Sequence, residues 1–256
     1  MRGPTYAGRV SHEEVRVSAD IGALSIRVAE AATTIISDAV KSRGRCAVAL
    51  SGGGTPKALY TLLASRFRDA IPWTRVHVFW ADERYVPAGD AHSNYTMAKE
   101  ALLDHVPCPP GNIHPMPTTF PLAEDAAREY ERVLRGHFGT DVPRFDLIFL
   151  GLGEDGHTAS LFPGSPSLQE QARSVVAVSA PATPSTRITL TMPVLTRAAH
   201  IHVLVAGANK ASALRHVLSG TADPALFPAA RLRSAEGTLT WWVDEDAAGS
   251  SSVILG

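Results

Sequence analysis

Apolar residues in this chain fall into short dense runs separated by longer amphipathic stretches. Cys46–Leu50 (CAVAL), Val76–Trp80 (VHVFW), Phe145–Leu150 (FDLIFL) and His200–Ala206 (HIHVLVA) are compact runs of strand length, as expected of strands buried on both faces. Helical patterns lie between them. Asp20–Arg43 carries Leu24, Val28, Ile35 and Ile36 near helical spacing. Pro56–Arg66 puts Leu59, Leu62 and Leu63 on one face, with Thr55 as the expected N-cap and Pro56 at the first helical position. Ser93–His105 (Ser93 as cap), Glu124–Phe138 and Asn209–Leu218 read as further helices, and Ser174–Ser179, Arg187–Thr191 and Gly237–Val243 as further strands.

This alternation predicts an α/β fold: a doubly wound, mostly parallel sheet with helices on both faces. The 256 residues contain no internal repeat, low-complexity tract or clear linker, so one domain is expected over 1–256, with 1–19 loosely ordered and Pro107–Pro121 an irregular connection. Ligands of such sheets bind outside the carboxyl ends of the strands. That rule singles out the loops after Leu50, Trp80, Leu150 and Ala206.

Each of these loops carries candidate chemistry. Ser51-Gly52-Gly53-Gly54-Thr55 follows a strand and opens a helix, where glycines admit close approach of backbone N–H groups and the helix N-terminus favours an anion. It matches neither a Walker A loop nor a dinucleotide fingerprint, so a phosphate and a bare tight turn both fit it. Asp82-Glu83-Arg84 follows VHVFW, a strand expected near the centre of the sheet. Arg84 offers a planar fork suited to phosphate, and Asp82 and Glu83 are placed to orient it or to move protons; a solvated charge cluster is the plainer alternative. Gly151–Ser160 follows the most apolar strand and contains His157, an acid/base candidate at neutral pH, with Asp155 two residues earlier to hold its ring. Lys210, in the expected first turn of the last long helix, works against the helix dipole unless an anion lies there, and Arg187 is a further cation at a strand start. His77, His200 and His202 lie in apolar strands and read as packing histidines, as do Trp241 and Trp242, which face opposite ways.

Bulk composition narrows the partners. The 24 Lys/Arg against 25 Asp/Glu give no general attraction to nucleic acid or anionic membrane, and no apolar stretch reaches the length of a membrane span. Cys46 and Cys108 are too few for a disulfide framework, and Cys46 reads as a buried thiol. The N-terminal residues are polar, with no signal-peptide core, which points to the cytoplasm.

Taken in order, ALSGGGTP, FWADERYVP with the later SNY, LGLGEDGHTASLFPGS, VAGANKA and the Phe227–Asp244 tail resemble the 6-phosphogluconolactonase family from about residue 20 to residue 245. The resemblance implies a fold shared with glucosamine-6-phosphate deaminases and isomerases. It also implies hydrolysis of a phosphorylated gluconolactone without organic cofactor or obligatory metal, by a monomer. It carries His157 onto the family's catalytic histidine, and the Ser51–Thr55 loop, Arg84 and Lys210 onto positions around the substrate. In the deaminases the second loop reads Asp-Glu-Tyr and a glutamate follows the Asp-Gly-His motif. Here Arg84 and Phe162 stand at those places, which favours the lactonase. A non-catalytic sugar-phosphate sensor is the other alternative, distinguished by binding without turnover.

Overall fold

The computed structural model describes residues 12–182 and 185–249. Among the described residues nine strands and seven α-helices follow in the order β1 His12–Ser18, α1 Ile21–Arg43, β2 Cys46–Leu50, α2 Gly54–Ser65, β3 Val76–Trp80, β4 Asp82–Arg84, α3 Asn94–Ala98, α4 Ala123–Phe138, β5 Leu147–Gly151, β6 Val175–Ser179, β7 Thr186–Leu190, α5 Met192–Thr196, β8 His200–Val205, α6 Ala211–Leu218, β9 Thr238–Asp244 and α7 Glu245–Ala248.

The main sheet has the order β1-β9-β8-β5-β2-β3 and every pairing in it is parallel. The chain runs outward from β2 to β3, then back past β2 to β5, β8 and β9. Helix α1 packs on α2, and α2 in turn on α3; right-handed crossovers put the β8–α6–β9 connection on the face opposite α1 and α2. The direction reverses between β2 and β5. The crevice beyond their carboxyl ends is the topological switch point, where open α/β sheets bind ligands. The loops there are Ser51–Gly53 and Gly151–His157.

The helix limits follow from capping. Asp20 accepts the Ala23 amide at 2.7 Å and begins α1, and Gly44 ends it at φ 76°, its N–H donating to the Val40 carbonyl. Ser93 caps α3 through the Thr96 amide, and the helix continues as a π-turn over Lys99–Leu103. Helix α2 begins two residues earlier than expected, with Gly53 rather than Thr55 at its N-cap. Pro56 still falls in the first turn, where its missing N–H removes no helical bond.

Four expectations are corrected. Val175–Ser179 and Thr186–Leu190, expected as strands of the main sheet, instead pair with Asp82–Arg84, expected as a loop, in a separate antiparallel sheet, β4-β7-β6. The β3 strand lies at an edge, not near the centre. Its apolar pattern is explained by the chain segment over its open side, where Ile113 bridges Val78 and the His114 amide donates to the Val78 carbonyl. Residues 12–18, expected to be loose, form edge strand β1 in register with β9, and charges at Glu13, Glu14 and Arg16 suit an edge; residues 1–11 lie outside the described residues. Asn209 and Lys210 belong to a 3₁₀ turn ahead of α6 rather than to the helix itself.

Trp241 and Trp242 are both buried, on opposite faces of β9. Cys46 and Cys108 are buried free thiols. His202, in central strand β8, is 3% exposed against Phe149 and Trp242, and its Nδ1 has no partner. Burial pushes its pKa down to about 3. The unfolded chain therefore binds a proton between about pH 6.5 and that value that the folded chain refuses, so stability is lost as pH falls through this window. Replacing His202 with leucine should remove up to about 1.4 kcal/mol per pH unit from the slope of stability against pH between 6 and 4. Denaturant unfolding at several pH values checks this, and an unchanged slope would assign the acid sensitivity elsewhere.

Candidate active site

At the switch point, loops from both sheets meet around a cleft of about 250 Å³ lined by Ser51, Gly52, Gly53, Asp82, Arg84, Asn94, Gly153, His157 and Lys210, among others. It adjoins a hollow of about 410 Å³ that shares Asp82, Arg84, His157 and Lys210 and adds Asp155 and Arg187. Two larger surface hollows, of about 860 and 900 Å³, contain none of His157, Arg84 and Lys210. The convergence of titratable groups, rather than volume, marks the site.

His157 is fixed by its own turn. Its Nδ1 lies 2.5 Å from Asp155 Oδ1, and the same oxygen accepts the His157 amide at 3.1 Å. The Asp155 pKa is lowered: burial alone would raise it, but the bonds to His157 outweigh that. With Nδ1–H donating to the carboxylate, Nε2 carries the lone pair of the neutral ring. The turn closes through the Gly153 amide to the His157 carbonyl at 2.8 Å, and Phe162 packs at 4.7 Å between ring centroids. Gly153 must be glycine, because a Cβ there would lie 2.0 Å from His157 Nδ1 and 2.5 Å from Asp155 Oδ1. We expect Gly153→Ala to displace the ring and cut turnover about 10²-fold while the protein stays folded. Steady-state kinetics beside a thermal melt checks this, and normal turnover would mean that the ring's exact seat does not matter.

The glycine loop presents free donors. Among the described residues, the amides of Gly52 and Gly53 make no hydrogen bond, whereas that of Ser51 is taken by Tyr60 Oη at 3.0 Å. The Ser51 hydroxyl is buried without a partner. Gly54 and Thr55, expected in the site, instead form the first turn of α2 and do not line the cleft.

Two acidic residues after β3 are tied into hydrogen bonds, and neither pairs with the Arg84 guanidinium among the described residues. Asp82 accepts Ser160 Oγ at 2.7 Å and Asn94 Nδ2 at 3.3 Å, tying the second loop to the third. Glu83 is 1% exposed and accepts the amides of Arg84, Asn94 and Tyr95, each at 2.7 Å, so it caps α3. Burial raises its pKa, against the pull of those amides. Arg84 donates instead to the His92 carbonyl at 2.7 Å.

The cations converge from three elements. Arg84 on β4 and Arg187 on β7 are register partners in the small sheet. Arg187 is 7% exposed, and its Nη1 is buried with no partner. Burial and then the charge of Arg84 lower its pKa. Lys210 comes from the turn after β8. Asp244 holds that turn by accepting the Gly207 amide, and Lys210 Nζ lies 3.9 Å from Glu154 Oε1. Like charges beside a buried, unsatisfied guanidinium leave a local demand for an anion.

Sequence reasoning named His157, Asp155, Ser51, Gly52, Gly53, Asp82, Arg84, Arg187 and Lys210, and the structure brings these together. It missed Asn94, whose Oδ1 would stand 1.8 Å from a Cβ at Gly52 and whose Nδ2 bonds the Asp82 carbonyl at 2.9 Å. It also missed Ser160 and Ala159, the latter at φ 48° beside His157. The only sequence signal for Asn94 was its place in the SNY triplet.

Residues 19–241 match the family model described as glucosamine-6-phosphate isomerases/6-phosphogluconolactonase. The chain is 46% identical over 218 residues to a protein of Synechocystis sp. named 6-phosphogluconolactonase, covering 84% of this chain and 88% of that one. It is 43% identical over 220 residues to the protein of that name from Mycobacterium tuberculosis, covering 83% and 88%. The solved structure of 6-phosphogluconolactonase from Trypanosoma cruzi superposes with a TM-score of 0.84 at 29% identity, over 96% of this chain and all of that one. With the family model spanning most of its length, the chain belongs to the glucosamine-6-phosphate isomerase/6-phosphogluconolactonase family.

Proposed function

We infer that the protein hydrolyses 6-phospho-D-glucono-1,5-lactone to 6-phosphogluconate, the lactone-opening step of the oxidative pentose phosphate pathway. The observation that carries this reading is the meeting of the His157–Asp155 pair with the Arg84–Arg187 pair in one cleft: an acid/base group at one end and an anion seat at the other.

Neutral His157 takes a proton at Nε2 from a water molecule as its oxygen bonds to C1 of the lactone. The carbonyl electrons move onto oxygen, and the free amides of Gly52 and Gly53 at the α2 N-terminus receive that negative charge. When the carbonyl re-forms, the bond from C1 to the ring oxygen breaks. The imidazolium returns its proton to that oxygen, giving the open acid and neutral histidine. Asp155 stabilises the imidazolium and keeps the ring in one tautomer. Arg187, Arg84 and Lys210 hold the phosphate, so binding energy remote from the reacting carbon positions C1.

Phe162 supports the lactonase over amino-sugar ring opening, because it sets an apolar ring against His157 where that chemistry uses a carboxylate. One chain supplies every group named, so a monomer suffices, and the enzyme is expected in the cytoplasm. Among the described residues no helix is long and apolar enough to cross a membrane. Lactone opening above its spontaneous rate, with no release of ammonia from glucosamine 6-phosphate, is the result this reading requires.

A further inference from the structure

At the other end of β3 from the cleft, three histidines from separate parts of the chain meet. His77 is the second residue of β3, His114 follows the Val78–Ile113 bridge, and His137 sits in the last turn of α4. His77 Nδ1 and His114 Nε2 are 3.3 Å apart, and one ring nitrogen from each of the three lies within 4.8 Å of the others. Ring centroids stand 4.5 Å apart for His77 and His137, and 5.6 Å for His114 and His137. Phe79 stacks on His114 at 4.5 Å and meets His137 edge-on at 5.0 Å, forming one wall. All three imidazoles are half-buried, neither sealed in the core nor free on the surface.

Packing alone explains this poorly. Three polar rings are turned toward one another beside an apolar wall, and the one ring-to-ring contact of hydrogen-bonding length among them is that between His77 and His114. A shared ion would satisfy all three. Two nitrogens bound to one tetrahedral zinc at about 2.0–2.1 Å stand roughly 3.4 Å apart, close to the His77–His114 separation. The His137 ring brings a third nitrogen within 4.8 Å of the other two. An all-imidazole set without carboxylate or thiolate selects borderline transition metals such as Zn²⁺, Co²⁺ and Ni²⁺ over Mg²⁺ or Ca²⁺. Arg45, which donates to the His137 carbonyl at 3.4 Å, brings a positive charge near and weakens the site without blocking it.

We propose that His77, His114 and His137 form a second, non-catalytic site that binds one divalent transition-metal ion and ties edge strand β3, the segment covering it and the end of α4 together. Water completes the coordination on the exposed side.

The full chain is titrated with Co²⁺, read by the visible absorption bands of the bound ion, and with Zn²⁺ in competition with a chromophoric chelator. The expected result is one equivalent bound, with a rise in melting temperature. Affinity should fall at least about tenfold in His137→Gln and in His114→Gln, and remain in His157→Ala. Lactone hydrolysis by His137→Gln and His114→Gln stays at the wild-type level, because the cluster is remote from the cleft, and this shows that they are folded. No stoichiometric binding by wild type would overturn the proposal. So would binding that survives in both glutamine variants or disappears in His157→Ala, which would move the ion to the cleft. The wild-type titration decides even if a variant fails to fold.

Discussion

Arg187→Met should weaken 6-phosphogluconate binding about 10–100-fold, leave turnover of unphosphorylated gluconolactone nearly unchanged, and make the free protein more stable. The three effects have one cause. Methionine keeps the apolar stem but removes a buried guanidinium whose Nη1 has no partner and whose neighbour across the strand pair is another arginine. An unsatisfied buried polar group costs about 1–3 kcal/mol, more when charged, and that cost disappears on substitution. In the proposed function the same group donates to the phosphate of the ligand, and a charge-assisted hydrogen bond is worth about 1.5–3 kcal/mol. Arg84→Ala should weaken the same ligand less, because Arg84 already donates to the His92 carbonyl. Calorimetric binding and a melt of the unliganded variant check both sides. A less stable Arg187→Met, or equal losses for phosphorylated and unphosphorylated substrates, would give Arg187 a structural role instead.

His157→Ala should lower the enzyme-catalysed rate about 10²–10⁴-fold with little change in affinity for 6-phosphogluconate. A δ-lactone is an activated ester, so the residual rate approaches spontaneous hydrolysis. Affinity is expected to survive because the proposed phosphate seat is built from β4, β7 and the turn after β8, none of which depends on the His157 ring. Asp155→Asn keeps the size of the partner but removes its charge, and should fall between wild type and His157→Ala. Should His157→Ala lose affinity and rate in equal measure, His157 would be a binding residue and the proton would pass through another group.

Much of this arrangement was legible in the chain. Four buried strands announced themselves as short, mostly apolar runs, and the glycines after Leu50 and Leu150 marked the loops that line the cleft. The rule that ligands gather at carboxyl ends then grouped His157, Arg84 and Lys210 from the sequence alone. What was hidden depends on contacts between distant segments. Asp82-Glu83-Arg84 does not look like a strand, because its glutamate is buried only by virtue of the α3 amides that receive it. The pairing of Arg84 with Arg187 is set by the register of β4 on β7, which no local pattern encodes. For Asp82 the sequence left open orienting Arg84, moving protons or a solvated charge cluster, and its bonds to Ser160 and Asn94 come from segments no local pattern joins. The cluster at His77 was invisible for the same reason: its three imidazoles come from a strand, a loop and a helix end.

The most direct test of the account generates the lactone in place from glucose 6-phosphate with its dehydrogenase. Appearance of 6-phosphogluconate is then followed with 6-phosphogluconate dehydrogenase, for wild type, for His157→Ala and without enzyme. The account predicts rapid product formation by wild type and a rate near the uncatalysed one for His157→Ala. Wild type indistinguishable from the no-enzyme control would contradict the assigned activity, and a fully active His157→Ala would contradict the mechanism.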